Sequence, residues 1–174
     1  MKKALSVLVL SSSFLFSQGF TLKSETISGQ LGIKQVFNGF GCTGENISPK
    51  LSWENPPKKT KSFAITMYDP DAPTGSGWWH WIVFDIPKDK KELKESFGNK
   101  ESKEIVQSVT DYGKVGFGGA CPPIGDKAHK YEFTIYALDV EKLGLTKDTT
   151  PAIVGYYINQ HTIEKSTITA YYKR

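Results

Sequence analysis

Asp69, Asp71, His80, His129 and Tyr131 are the side chains of this sequence whose types could work together chemically. An imidazole takes up a proton near neutral pH and can then hold a phosphate or carboxylate, while aspartates behind it fix its orientation and tautomer. The spacing suits that division of labour. His129 and Tyr131 lie two residues apart, so on a strand they project from one face. Asp69 and Asp71 sit in Asp69-Pro70-Asp71-Ala72-Pro73, where two prolines remove backbone freedom. In Gly116-Phe117-Gly118-Gly119-Ala120-Cys121-Pro122-Pro123 the glycines let backbone approach a ligand and expose its N–H groups, a candidate anion nest. The same residue types would also suit a metal-dependent hydrolase or an acid–base pair with His80 as general base. There is no HExxH and no GxSxG, and Ser76, in Gly75-Ser76-Gly77, lacks a strand-turn-helix setting. A binding protein without turnover is therefore expected, with no catalytic residue, cofactor or metal assigned. Taken singly, the Asp-Pro-Asp-Ala-Pro run is also explained as a tight turn, and Trp78, Trp79 and Trp81 as packing residues. Ala72-Pro73 is a candidate for a cis peptide.

These residues need strands to carry them. Ser62 to Tyr68 alternates Phe63, Ile65 and Met67 with Ala64, Thr66 and Tyr68, and runs directly into the proline turn. Trp79 to Ile86 stops at Pro87, and Lys130 to Leu138 alternates Tyr131, Phe133 and Ile135 with polar neighbours. These three should form the sheet centre. Shorter strands are expected at Thr21 to Ile27, Lys34 to Phe37, Ile105 to Thr110 and Ser166 to Tyr172. Few helical crossovers are available, so pairing should be antiparallel. One helix is expected over about 151–164, with Thr150 as N-cap, Pro151 at the first position, and Ile153, Val154, Tyr157, Ile158 and His161 on one packed face. A short helical turn is expected near Val140 to Leu145.

The 174 residues, 39% hydrophobic and 23% charged, suit one compact domain. Lys2 and Lys3 precede an uncharged run from Ala4 to Phe16 and small or polar residues at Ser17, Gln18 and Gly19, the order of a secretory signal. Residues 1–19 are read as that signal and 20–174 as the domain, which places the protein in the periplasm or outside the cell. The alternatives are an uncleaved anchor or a buried first helix. The apolar run is shorter than the ~20 residues that span a bilayer, so no transmembrane segment is expected after cleavage. Removing two lysines takes the formal charge from +4 to +2. With Arg174 as the only arginine, a nucleic-acid partner is not expected. Cys42 and Cys121 are an even pair outside any CxxC, and in an oxidising compartment a disulfide is expected; two separate buried thiols are the alternative.

Three blocks in order, Asp69-Pro70-Asp71-Ala72-Pro73, Gly77-Trp78-Trp79-His80-Trp81-Ile82-Val83, and Gly119-Ala120-Cys121-Pro122-Pro123 ending in His129-Lys130-Tyr131, resemble the signature of the phosphatidylethanolamine-binding proteins. The segment from Phe37-Asn38-Gly39 to Asn46-Ile47-Ser48-Pro49 resembles the bacterial Raf-kinase-inhibitor-like, or YbhB/YbcL-like, branch. The resemblance implies a mainly β fold of two stacked antiparallel sheets with one or two short peripheral helices. It also implies an anion pocket at one end of the sheet, lined by Asp69, Asp71, His80, His129 and Tyr131 and shaped by Pro73, Gly119 and Pro122. The ligand implied is a small anion or phosphorylated head group such as phosphoethanolamine. A protein partner, in an inhibitor or interaction role, and a homodimer are the further expectations. Lys130 and Ala120 depart from the arginine and proline that many relatives carry there.

Overall fold

A computed structural model describes residues 19–174; the expected signal falls almost wholly outside them. Strands run in the order β1 (Thr21–Lys23), β2 (Asn38–Gly39), β3 (Cys42–Thr43), β4 (Leu51–Glu54), β5 (Ser62–Asp69), β6 (Trp78–Pro87), β7 (Glu92–Leu93), β8 (Val106–Gln107), β9 (His129–Leu138) and β10 (Thr162–Tyr172), with helix α1 (Pro151–His161) before the last. A five-stranded antiparallel sheet has the order β10-β9-β5-β6-β8, a three-stranded one β1-β4-β7, and β2 pairs with β3. The three strands expected at the centre, β5, β6 and β9, lie together there.

Strand periodicity builds a core on each face of the large sheet. Phe63, Ile65 and Met67 of β5, Trp81 and Val83 of β6, and Phe133 and Ile135 of β9 pack with Leu22, Leu51, Trp53 and Leu93 of the small sheet. Ala64, Ile82, Phe84 and Leu138 face the other way and meet Leu143, Val154 and Ile158, so α1 covers that side. The alternation on β6 is broken twice. Phe63 and Ile65 pair with Ile86 and Val83, and Met67 and Tyr68 pair with Trp81 and Trp79, so β6 carries extra residues at both places. Asp85, at φ 57°, lies in the first irregularity, and its carboxylate accepts the Leu143 N–H at 2.8 Å, tying down the loop before α1. His80 is the extra residue of the second. Such a bulge re-aims side chains locally: Trp81 joins the core under the small sheet, Trp79 packs with the helix-side cluster, and His80 turns toward Tyr131.

Several expected boundaries differ. The helix expected over 151–164 ends at His161, because Thr162 already pairs with Leu138 and its β-branched successors continue along β9. Of its expected packed face only Val154 and Ile158 are buried, while Ile153 and Tyr157 are exposed. His161 instead lies 2.9 Å from Asp139 through Nδ1. The expected strand Lys34 to Phe37 opens in a 3-10 turn over Ile33–Gln35, because Gly32 accepts the Gln35 N–H; only Val36 then bridges to Ala120. The strand expected over Thr21 to Ile27 is three residues long, since Ser24 and Thr26 use their hydroxyls on Lys50 backbone instead of a ladder. Val140 to Leu145 forms no helix; the Leu143 amide is taken by Asp85. Ala72-Pro73 is trans, as are all peptide bonds among the described residues.

Cys42 and Cys121 form the expected disulfide, with Cα atoms 5.9 Å apart. It fastens β3 to the glycine-rich segment. Closing a loop of 79 residues should contribute about 4 to 5 kcal/mol through the unfolded chain. Replacing both cysteines by alanine should lower the stability measured by urea denaturation by that order; a loss below about 1 kcal/mol would contradict it.

Candidate functional site

The expected residues converge at the end of β5, β6 and β9. Asp69, the last residue of β5, is 3% exposed and accepts two hydrogen bonds: one oxygen lies 2.8 Å from His129 Nδ1, the other takes the Asp71 N–H at 2.8 Å. The second bond is an Asx turn, the local structure that an Asp-Pro-Asp run favours. Asp71 in turn accepts the Lys130 backbone N–H and the Lys127 ammonium, each at 2.9 Å. The Lys127 contact, then the Lys130 amide, hold its carboxyl below the usual carboxylate range. The proline turn is thus clamped to the start of β9. Pro73 is exposed beyond Asp71, and Pro122 is buried next to the disulfide; neither can donate, and each acts only by shaping its loop.

His129 is fully committed. Its Nε2 faces Asp126 at 3.3 Å while Nδ1 faces Asp69, so both ring nitrogens meet carboxylates of the protein. His80 is committed on one side only. Its Nδ1 lies 2.9 Å from the Gly118 carbonyl oxygen and 3.1 Å from that of Gly119. Carbonyl oxygens only accept, so Nδ1 carries the hydrogen. Burial, outweighing the Gly118 carbonyl and the Asp69 charge, pushes the imidazole down to about 4. At neutral pH the ring is therefore neutral and Nε2 holds a bare lone pair.

Tyr131 stands edge-on to His80, with ring centroids 5.2 Å apart. It is fully buried, and its hydroxyl has no hydrogen-bond partner among the described residues. Burial first, then the nearby Asp69, raises its ionisation well above the usual phenol value, so it remains a neutral donor. Leaving such a group unsatisfied costs about 1 to 3 kcal/mol. Trp78 Nε1 is likewise without a partner.

The glycine-rich segment does not form the expected nest of free amides. The N–H groups of Gly118, Gly119 and Ala120 go to the His80 carbonyl, the Asn46 side chain and the Gln35 carbonyl. The reason is packing: a Cβ on Gly119 would come within 2.7 Å of the Phe37 nitrogen, so the segment lies directly against the 35–37 stretch and bonds to it. What it offers the site is carbonyls, which orient His80. Two residues outside the expected set take part. Tyr112 donates to the Gly119 carbonyl at 2.9 Å, stacks on Phe37 at 4.1 Å and lies 5.5 Å from His80. Asn46, at φ 54°, accepts the Gly119 N–H at 2.7 Å and donates to the Phe117 carbonyl. Asn46 lay within the recognised Asn46-Ile47-Ser48-Pro49 block; Tyr112, in a turn without pattern, carried no sequence signal. Among the described residues no three His, Cys, Asp or Glu side chains are grouped to hold a metal ion.

A sequence profile described as phosphatidylethanolamine-binding protein matches residues 24–173. The chain is 48% identical over 148 residues to the UPF0098 protein YbcL of Escherichia coli K12, covering 83% of this chain and 81% of YbcL. To the UPF0098 protein YbhB of the same organism it is 46% identical over 140 residues, covering 79% and 88%. The crystal structure of E. coli YbcL, described as a member of the mammalian PEBP family, matches with a TM-score of 0.87 at 46% identity over 90% of this chain and 99% of that one.

Asp69 holds the site from beneath, and truncating it would leave the His129 ring and the Asp71 amide without their acceptor. Asp69→Ala should cost about 3 kcal/mol or more, read as a lowered urea midpoint with an unchanged slope. A loss under about 1 kcal/mol would show that the buried pair is not structural.

Proposed function

The chain belongs to the phosphatidylethanolamine-binding protein family, and on that premise we propose that it is an exported binding protein whose His80 site takes a phosphate-like oxyanion, free or as a lipid head group, without turnover. The observation that carries this reading is the pair of unspent polar atoms on adjoining buried rings, His80 Nε2 and the Tyr131 hydroxyl. The hydroxyl is a donor. The imidazole nitrogen becomes one when it gains a proton, and an arriving oxyanion supplies the negative charge that makes protonation favourable. Binding is then coupled to proton uptake. Asp69, Asp71 and His129 act behind the site as positioning residues, since their own polar atoms already face one another. The half-buried Trp78 and Tyr112 flank the buried His80 ring. Export is supported by the order of residues in 1–19 and by the disulfide, which oxidising compartments preserve.

Sulfate does not titrate near neutral pH, so any pH dependence of its binding belongs to the protein. Free His80 is neutral above about pH 4, and the bound anion raises its value. Between the free and bound values each unit fall in pH should therefore tighten sulfate binding by up to about tenfold, the effect of one proton taken up. Calorimetric titration from about pH 8 to about pH 5 should show affinity rising in that direction. His80→Asn, which can still reach the Gly118 carbonyl, should remove the slope; Tyr131→Phe should weaken binding about tenfold and keep it. Affinity independent of pH in the natural protein, or a slope surviving His80→Asn, contradicts the reading. Repeating the titration with glycerophosphoethanolamine distinguishes a head-group site from one for free anions.

A further inference from the structure

Beside the His80 cluster lies a groove of about 650 Å³ that none of Asp69, His80, His129 and Tyr131 lines. Its floor is main chain. Phe117 N–H donates to the Gly98 carbonyl at 2.9 Å, and a Cβ on Gly116, at φ 96°, would come within 2.6 Å of that same carbonyl oxygen. The amide side chains in the floor are spent on the protein. Asn46 bonds to Gly119 and Phe117; Asn99 accepts from Ser48 and donates to the Asn46 carbonyl; Gln107 accepts from Trp81 Nε1 and donates to the Lys100 carbonyl. They make the floor rigid and leave recognition to the walls.

One wall is apolar, with Phe37, Ile105, Tyr112 and Phe117, and Val115 exposed at its edge. The rim carries Lys100, Lys103, Lys114 and Lys147 against a single acid, Glu101. Lys23, Lys34, Lys50, Lys127 and Lys130 pair with carboxylates elsewhere on the surface; what sets the groove apart is that four lysines and one acid share a single concavity with apolar side chains. Among the described residues no carboxylate oxygen lies within 4.0 Å of any of the four groove lysines, since none appears in an ion pair. Four cations lining one concavity against a single acid give it a positive potential that favours an anion. The volume lies within the ~300 to 1,000 Å³ typical of small-molecule sites, far more than an inorganic anion fills.

We propose that this groove is a second binding site, adjoining the His80 cluster through Tyr112, for a small amphipathic organic anion, its flat apolar body on Ile105 and Phe117 and its acidic groups among Lys100, Lys103, Lys114 and Lys147. The site does not depend on what the His80 cluster binds. Fluorescence titration with 8-anilinonaphthalene-1-sulfonate, a flat apolar anion, tests it. Saturable binding of one dye is expected, weakened about tenfold or more in Lys103→Glu/Lys147→Glu and in Lys100→Glu/Lys114→Glu. Both pairs are on the surface, and unchanged thermal melting shows that they fold. Amide shifts on dye addition should centre on Ile105, Val115 and Phe117. The proposal is overturned if the dye does not saturate, if both charge-reversed pairs bind it as the natural protein does, or if the shifts centre on His80 and Tyr131.

Discussion

The hydrogen shared between His80 Nδ1 and the carbonyls of Gly118 and Gly119 is the constraint on which the site turns. It does two things at once. It fixes the imidazole in one tautomer, which leaves Nε2 bare, and it joins the bulge of β6 to the glycine-rich segment. That segment is itself held on three sides, by Asn46, by the Gln35 and Phe37 main chain, and by the disulfide through Cys121. A buried histidine without such an acceptor would be free to turn either nitrogen outward, and the proton chemistry of the site would be lost.

Behind this ring the site is built in layers. The hydrophobic faces of β5, β6 and β9 bury the sheet from both sides, so the strand ends cannot shift without opening a packed core. Asp69 at the end of β5 then bonds His129 at the start of β9, and Asp71 bonds the Lys130 amide. Carboxylates thus close the gap between two neighbouring strands, and the two histidines fall into different roles by partner alone. His129 meets acids on both nitrogens; His80 meets carbonyls on Nδ1 alone.

Much of this was legible in the sequence, for physical reasons that differ from part to part. The three central strands were visible because each is fully buried at its middle and alternates or runs apolar to a proline or aspartate stop. The Cys42–Cys121 bridge followed from an even cysteine count read together with the expectation of an oxidising compartment. The convergence of Asp69, His80, His129 and Tyr131 was legible chiefly as a family pattern, since three distant segments had to meet. What was hidden is what depends on tertiary pairing. No period in Trp78-Trp79-His80-Trp81 announces a bulge, yet the bulge decides which way each ring points. Glycines at 118 and 119 suggested free amides, while the His80 carbonyl and the Asn46 side chain take them. The strand expected at Lys34 to Phe37 became a turn because Gly32 offered a local carbonyl first.

The central claim is a statement about one nitrogen, and nitrogen-15 spectra of the imidazole rings read it directly. With the protein free near neutral pH, His80 should show a protonated Nδ1 and an unprotonated Nε2; on saturation with phosphate, Nε2 should move to the protonated position while Nδ1 stays. An Nε2 that is already protonated in the free protein, or one whose signal does not change when phosphate saturates, would contradict the account.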